Sequence, residues 1–200
     1  MNEEKKIWKT LAVLCFILFV AGFFTDSMTG FFVKEFQKPK VEIYARSQCI
    51  HTIQTENSIL PVIDLMQGKL EFKIYFIGID EEKLRSLNGP EELKENLRQL
   101  CIQKYFPKKL IPYILCQNKN VKTMKETWQQ CAGTNAIKVD TIRRCINSAG
   151  GQRMLSASFK RSQNKNLQKS PVLYLGNKKI SSKINRMPFK EELCKTLDVC

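Results

Sequence analysis

Apolar and polar residues alternate along residues 41–46, and this period of two predicts a β-strand. From Ile50 onward the apolar residues recur at helical spacing, which predicts a helix that ends at Gln67-Gly68. Cys49 therefore lies where a strand gives way to the N-terminus of a helix. A second strand pattern, over residues 69–79, is apolar on both faces, which is typical of a central strand covered on both sides. Strand, helix and strand in this order predict a βαβ unit with parallel strands.

A long helical segment follows, from about residue 81 to 168. Its apolar stripes predict several successive helices with core-facing sides. One of them begins at Pro90, a residue that suits the first helical position. Another has Asp140 as its N-cap and is closed by Gly150-Gly151. We expect these helices to form an insertion in the strand pattern.

The strand pattern returns after Ser170-Pro171. Residues 172–175 predict an apolar strand, Gly176-Asn177 a hairpin turn, and residues 180–184 the return strand. A short helix over residues 188–197 closes the chain. Strands and helices thus alternate as in an α/β protein.

The composition is that of a globular domain, since 43% of the 200 residues are hydrophobic and no low-complexity tract is present. The net charge of +14 raises nucleic acid as a partner. The lysines are spread along the chain, however, and glutamate pairs balance them locally without any nucleic-acid motif. We therefore expect no nucleic-acid partner and interpret the charge as a solvated surface that attracts anionic lipid or cell-wall polymer.

Three lysines precede an uncharged apolar run at residues 11–24. A basic flank before such a run predicts a signal sequence, with the N-terminus in the cytoplasm and the remainder outside. We interpret residues 1–33 as an uncleaved signal anchor, and cleavage is the alternative. Residues 34–40 would then link the membrane to a domain over residues 41–200.

Eight cysteines in an extracytoplasmic chain point to disulfides. With Cys15 set aside in the apolar run, seven remain, so one stays free if six pair, and Cys49 is the candidate. Each of four predicted helices carries one cysteine, a spacing that favours two disulfides over a zinc site, with three pairings possible among Cys101, Cys116, Cys131 and Cys145. Cys194 and Cys200 are near enough in sequence to bridge locally.

Cys49 is also placed for chemistry. Unpaired N–H groups and the positive end of the helix dipole favour a thiolate at a helix N-terminus. His51, the single histidine, could add positive charge there. The simpler interpretations are a buried structural cysteine and an exposed helical histidine. A thiolate and an imidazole can also ligate copper, although we expect no metal and no cofactor.

These features together resemble a DsbA-type thioredoxin-fold protein over roughly residues 40–198. The resemblance lies in the strand–Cys49–helix–strand opening, the helical insertion and the Ser170-Pro171 strand and hairpin. The segment at residues 101–151 also resembles the multi-cysteine helical layer of relatives of gamma-interferon-inducible lysosomal thiol reductase. The resemblance implies an α/β thioredoxin fold, a central mixed sheet flanked by helices, with a helical, disulfide-stapled insertion at about residues 81–168.

In the DsbA-like family the active motif is Cys-x-x-Cys, often with histidine in third place, and a cis-proline loop faces it. The resemblance therefore assigns Cys49 as the catalytic nucleophile, with Ile50 and His51 as the tuning pair. It likewise makes Pro171 the cis-proline and implies that Ser170 presents backbone groups to an incoming peptide.

Thr52 departs from this pattern because it occupies the position of the resolving cysteine. Without that thiol, Cys49 can attack a substrate disulfide, but no internal disulfide can close to release the substrate. The resemblance thus implies a membrane-anchored, extracytoplasmic monothiol protein that exchanges disulfides as an isomerase or a reductase does. The alternative is a non-catalytic binding or chaperone-like module that has lost the resolving cysteine. Either protein would act on cysteine-containing or unfolded protein clients.

Overall fold

The structure is a computed structural model, and it describes residues 38–180 and 186–197. Its regular elements follow one another in this order: β1 (Lys40–Ala45), α1 (Ile50–Leu65), β2 (Glu71–Phe76), β3 (Ile79–Asp80), β4 (Leu84–Arg85), α2 (Pro90–Tyr105), α3 (Leu110–Asn118), α4 (Met124–Thr134), α5 (Val139–Ile146), α6 (Ala149–Asn164), β5 (Val172–Leu175), β6 (Lys178–Ile180) and α7 (Arg186–Leu197). Single 3₁₀ turns precede α3 and α4.

Four strands form one mixed sheet in the order β2-β1-β5-β6. β2 runs parallel to β1, with Val41 opposite Phe72, as the βαβ pattern predicts. β5 runs antiparallel to β1, with Ile43 opposite Leu173, and β6 returns antiparallel to β5. The C-terminal ends of the parallel strands β1 and β2 therefore lie side by side, at the end of the sheet where Cys49 follows β1.

The two faces of β1 are buried in different ways. Val41, Ile43 and Ala45 belong to the main apolar core, which the helical insertion shares. On the opposite face, Tyr44 stacks on Tyr75 of β2 with ring centroids 5.2 Å apart, and it meets Tyr174 of β5 edge to face. Arg161 of α6 lies over the Tyr75 ring, and Lys165, the residue after that helix, lies over the Tyr174 ring.

β2 lies at the edge of the sheet, so the prediction of a central strand was wrong. One face of β2 carries Phe72, Ile74 and Phe76, but the other carries the polar Glu71 and Lys73, and the apolar residues that suggested a second covered face, Ile77 and Ile79, follow the end of the strand. On the outer side of β2, where no further strand of the described chain pairs, side chains bond its backbone N–H and C=O groups. The Gln103 side chain donates to the Ile74 carbonyl and accepts from the Ile74 N–H, and Ser158 accepts from the Phe76 N–H. These bonds close the edge to further strands.

The helical insertion between β2 and β5 is confirmed, and it is stapled by two disulfides. Cys101 of α2 is joined to Cys145 of α5, and Cys116 of α3 to Cys131 of α4. A small β3–β4 hairpin precedes the first helix, which begins at Pro90 as predicted.

Two predicted helix boundaries in the insertion were wrong. Lys138, not Asp140, is the N-cap of α5. Gly150-Gly151 does not close that helix but lies in the first turn of α6, whose N-cap Ser148 accepts a hydrogen bond from the Gly151 N–H at 3.0 Å. A Cβ at Gly151 would lie 2.2 Å from the Cys145 carbonyl oxygen, so this glycine allows close packing of the two helices.

The C-terminal part begins with the hairpin that the sequence predicts. Gly176 has a φ of +56°, and β6 starts at Lys178, two residues earlier than predicted. Helix α7 buries Phe189 and Leu193 in the core. Cys194 is disulfide-bonded, while its predicted partner Cys200 lies outside the described residues, as do residues 181–184 of the predicted return strand.

The predicted signal anchor at residues 1–33 and most of the predicted linker also lie outside the described residues. Among residues 38–180 and 186–197, no helix has the length and apolar character needed to cross a bilayer.

Candidate active site

Cys49 lies in the turn between β1 and α1, as the sequence predicts. Its backbone is extended, with φ −78° and ψ 123°, and its carbonyl accepts the first hydrogen bond of the helix from the Ile53 N–H at 3.0 Å. Its own N–H donates to the Arg46 carbonyl at 3.0 Å, which closes the turn. Only 9% of the residue is exposed, and it is the free cysteine of the described residues. A buried sulfur thus lies at the N-terminal end of a 16-residue helix.

The turn that carries Cys49 is fixed by two buried polar side chains of α2. The Asn96 side-chain oxygen accepts from the Ser47 N–H at 3.2 Å, and the Glu92 carboxylate accepts from the Gln48 N–H at 3.2 Å. Glu92 and Asn96 are both fully buried. Because backbone donors inside a protein need partners, these two bonds set the conformation of the turn. Neither bond could be predicted from local pattern, since each joins residues more than forty positions apart.

Two polar groups lie near the Cys49 sulfur. The Ser170 carbonyl oxygen is 3.8 Å from Sγ, within reach of a thiol hydrogen bond. The Arg46 guanidinium places Nη2 3.9 Å from the same sulfur. Within the described structure, the buried Nε of Arg46 has no hydrogen-bond partner. Arg46 was not identified from the sequence, although a basic residue three positions before a candidate nucleophile is the signal that could have found it.

The Ser170-Pro171 peptide bond is cis, and both residues are buried opposite Cys49. The Ser170 hydroxyl lies 2.5 Å from the Thr52 hydroxyl, and the Arg46 N–H approaches that same Thr52 oxygen at 3.5 Å. Thr52 is fully buried. The Thr52 side chain therefore contacts both the proline loop and the turn before Cys49.

The two residues between Cys49 and Thr52 face solvent. Ile50 is 56% exposed, and His51 is exposed as well. A cavity of about 320 Å³ lies beside the chain that leads to Ser170, and Leu87 and Leu167 line it. Leu87 is itself 50% exposed, so apolar surface is accessible at this end of the domain.

A buried carboxyl group lies one helical turn beyond Thr52. Glu56 is almost fully buried, and Asn118 donates to its Oε2 at 2.9 Å, while Oε1 has no partner within the described structure. Burial raises the pKa of Glu56 to about 8, with a contribution from the nearby Glu95 carboxylate and against the opposing effect of the Asn118 hydrogen bond. The pKa of Glu95 is also raised by burial, although its Arg98 partner opposes that shift.

The described residues contain no cluster of three or more histidine, cysteine, aspartate or glutamate side chains that could hold a metal ion. Cys49 and His51 therefore have no further protein ligand of these types within residues 38–180 and 186–197.

Comparison with known proteins supports both resemblances. The sequence model of the family described as gamma interferon inducible lysosomal thiol reductase matches residues 40–135, a range that contains Cys49. A search of curated proteins gave no match.

Solved structures with the same fold include several thiol–disulfide exchange proteins. MdbA, a thiol-disulfide oxidoreductase from Actinomyces oris, aligns with a TM-score of 0.62 and 13% identity over 82% of this chain and 83% of its own. ScsC from Proteus mirabilis aligns with a TM-score of 0.61 and 13% identity over 81% of this chain and 69% of its own. The thiol-disulfide exchange protein α-DsbA2 from Wolbachia pipientis aligns with a TM-score of 0.57 and 15% identity over 82% of each chain. This likeness confirms the DsbA-like thioredoxin fold.

Proposed function

We propose that this protein is an extracytoplasmic, membrane-anchored thiol–disulfide exchange protein that works through Cys49 alone. The observation that carries the proposal is the setting of the free sulfur. It lies at a helix N-terminus, 3.8 Å from the Ser170 carbonyl before a cis-proline, and Thr52 occupies the place of a resolving cysteine. The proteins with this fold named above as thiol–disulfide exchange proteins support the same activity here.

Positive charge lies beside the Cys49 sulfur. The N-terminus of α1 contributes the positive end of its dipole, and the first turn of that helix contains no acidic residue. The Arg46 guanidinium, 3.9 Å from Sγ, adds a full positive charge. Protonated His51, two residues further on, would add a second one. A thiolate is the form that attacks disulfides.

The exchange begins when the Cys49 thiolate attacks one sulfur of a client disulfide. A Cys49–client disulfide forms, the client disulfide breaks, and the second client sulfur leaves as a thiolate. Thr52 has no thiol with which to displace the client. Release therefore requires another thiol of the same client, which isomerises its disulfides without net oxidation. Alternatively, an external low-molecular-weight thiol attacks the Cys49 sulfur and the client leaves with both of its sulfurs as thiols. A second molecule of that thiol then displaces the first from Cys49, so the low-molecular-weight thiol ends as its disulfide and Cys49 is free again.

The client binds where the proline loop faces Cys49. Ser170 presents backbone groups beside the sulfur, in the manner of a strand edge that pairs with an extended peptide. Exposed Ile50 and Leu87 provide apolar contact on either side, which suits an unfolded or cysteine-containing client. Specificity would then depend on apolar residues near the client cysteine rather than on charge.

The location proposed for this activity is outside the cytoplasm, anchored by the apolar N-terminal segment. Two disulfides in the insertion support an oxidising compartment, since such bonds are rare in cytosolic proteins. The lysines before the apolar run support an N-terminus that stays in the cytoplasm.

Turnover of a client with scrambled disulfides tests the proposal. The full chain, supplied with a trace of low-molecular-weight thiol, should restore native disulfides in a scrambled test protein faster than that thiol alone. The Cys49→Ser variant should fall to the rate of the thiol alone, while Ser156→Ala, a serine of α6 away from Cys49, should keep the full rate. An unchanged rate in Cys49→Ser would overturn the assignment.

A second candidate is a binding module without turnover. It is favoured by the buried Thr52 hydroxyl, which contacts Ser170 and leaves Cys49 as a single thiol. Under this alternative a Cys49→Ala variant binds an unfolded client as tightly as the unaltered chain. Loss of client capture in that variant, together with loss of turnover, would exclude the binding module.

A further inference from the structure

The end of the domain opposite Cys49 carries a surface that disulfide exchange does not use. β1 runs toward Cys49, and β2 is parallel to it, so both strands start at this opposite end. Helices α1 and α2 start near Cys49, and both end at the opposite end of the domain, where the turn Pro107–Lys109 follows α2. We call this end the basal surface, comprising residues 38–40, 63–73 and 104–111.

A cavity of about 400 Å³ opens on the basal surface. Its apolar wall includes Phe72 and Ile111, and its polar lining includes Lys38, Lys73 and Lys108. Amino groups on flexible stems around an apolar recess suit a ligand that is anionic at one end and apolar at the other.

Exposed apolar side chains occur at the same end. Leu65, the last residue of α1, is 89% exposed, and Tyr105, the last residue of α2, is 47% exposed. The Lys104 ammonium lies 5.1 Å from the centre of the Tyr105 ring. A large aliphatic residue, a tyrosine and lysines at one end of a domain form the combination found at membrane interfaces.

The charge of the basal surface is positive. Lys40 and Lys73 both contact the Glu71 carboxylate, at 3.9 and 3.2 Å. One negative charge is thus shared between two positive charges. Lys104 and Lys108 are exposed beyond this group. Basic side chains close to an anionic leaflet attract it over about a Debye length.

We propose that the basal surface docks on an anionic phospholipid bilayer, with lipid headgroups at the lysines and with Leu65 and Tyr105 at the interface. Charge complementarity and the exposed apolar residues favour a lipid surface over an acidic protein. Lys38, a residue of the linker predicted to follow the signal anchor, lines the cavity at this end. Docking would direct Cys49 away from the membrane, and it does not depend on the chemistry of Cys49.

Backbone hydrogen exchange of the full chain in nanodiscs tests this docking. The discs contain phosphatidylcholine alone or about 30 mol % phosphatidylglycerol. Residues 66–73 and 104–111 should exchange several-fold more slowly in the anionic discs, and about 0.5 M NaCl should remove that protection. Residues 46–53 around Cys49 should exchange alike in both discs.

A matched pair of charge reversals completes the test. Lys104→Glu with Lys108→Glu should abolish the added protection, whereas Lys83→Glu with Lys169→Glu, which changes the net charge equally at the other end, should keep it. All four lysines are exposed, so both variants should fold. Equal protection in neutral and anionic discs, no protection of the basal surface, or equal loss in both variants would overturn the proposal. Basal protection by an acidic protein but not by anionic discs would overturn it as well.

Discussion

The strand-to-helix turn around Cys49 and the helical insertion both depend on cysteine, but in opposite ways. The insertion holds its helices together with two covalent bridges, and three of these four sulfurs belong to residues that are at least nine-tenths buried. The Cys49 turn has no covalent support and is held by buried side chains of α2, chiefly Glu92 and Asn96. The difference indicates that stability and chemistry are separated: bridged sulfurs stabilise the fold, while hydrogen bonds position a sulfur that remains free.

The largest effect should follow removal of the Cys101–Cys145 bridge. The double change Cys101→Ser with Cys145→Ser opens a loop of sequence separation 44 and leaves two buried hydroxyls. We expect the free energy of unfolding to fall by about 2–5 kcal/mol, measured by urea denaturation. In the fraction that remains folded, Cys49 should be alkylated at its usual rate.

The shorter bridge provides the matched comparison. Cys116→Ser with Cys131→Ser opens a separation of 15, so chain entropy predicts a smaller loss, about 1 kcal/mol less than for the longer loop. A change in Cys49 alkylation that parallels the loss of stability in both double variants would contradict the separation of the two regions.

The next largest effect is on the pH dependence of stability, and it comes from Glu56, the buried carboxyl one helical turn beyond Thr52. The pKa of Glu56 is raised from 4.5 to about 8 in the folded protein, chiefly by burial, whereas unfolding returns it to its ordinary value. Between these two values the folded state holds more protons than the unfolded state, so its stability must decrease as the pH rises through that window. Glu56→Gln should remove this decrease, a difference on the order of a few kcal/mol at pH 8.

Urea denaturation at pH 5 and pH 8 measures this linkage. As a control, Glu126→Gln changes an exposed glutamate of α4 and should leave the pH dependence as it is in the unaltered chain. Parallel pH curves for Glu56→Gln and the unaltered protein would refute the role of the buried carboxyl.

A smaller loss of stability, joined to a change at the site, should follow Asn96→Ala. This variant leaves the buried Ser47 N–H without its acceptor, at a cost of about 1–3 kcal/mol. Because the turn then loses an anchor, alkylation of Cys49 should change as well. The exposed Asn164→Ala should alter neither quantity. Should Asn96→Ala reduce stability but leave the alkylation rate as it was, the anchor would not set the position of Cys49.

The smallest effect on stability, with a clear effect on chemistry, should come from Arg46→Gln. Removing the guanidinium takes a positive charge away from the neighbourhood of the reacting Sγ, so Cys49 should be alkylated several-fold more slowly at pH 6. The free energy of unfolding should change by less than about 1 kcal/mol. An exposed arginine of α6 supplies the control, since Arg153→Gln should be without effect on the rate. Equal rates for the two variants would exclude Arg46 from the chemistry.

Local pattern was sufficient for the order of the helices and of the strands of the main sheet, but it did not predict the small β3–β4 hairpin. The alternation at residues 41–46, the helical spacing after Ile50 and the proline at position 90 each act within a few residues, and each predicted an element that the structure contains. The position of β2 at the sheet edge could not be predicted in this way. The groups that close its outer edge, Gln103 and Ser158, come from helices distant in sequence, which the local pattern of β2 does not encode.

The candidate site likewise has a part that the sequence predicted and a part that depends on tertiary packing. The candidate nucleophile and the proline loop follow from sequence pattern and resemblance, but their juxtaposition joins residues 121 positions apart. The pairing of the four insertion cysteines, the anchors on α2 and the burial of Glu56 depend on tertiary packing, which no local pattern encodes. Arg46 is the exception, because it lies only three residues from Cys49 and needed only the recognition that its charge matters there.

Trapping the exchange intermediate tests the central claim most directly. The full chain is mixed with a disulfide-containing client, quenched in acid, and analysed by mass spectrometry without reduction. The account predicts a Cys49–client disulfide that persists in the unaltered protein and is short-lived in Thr52→Cys, where a second thiol can displace the client. Absence of any disulfide between Cys49 and the client in both proteins would contradict it.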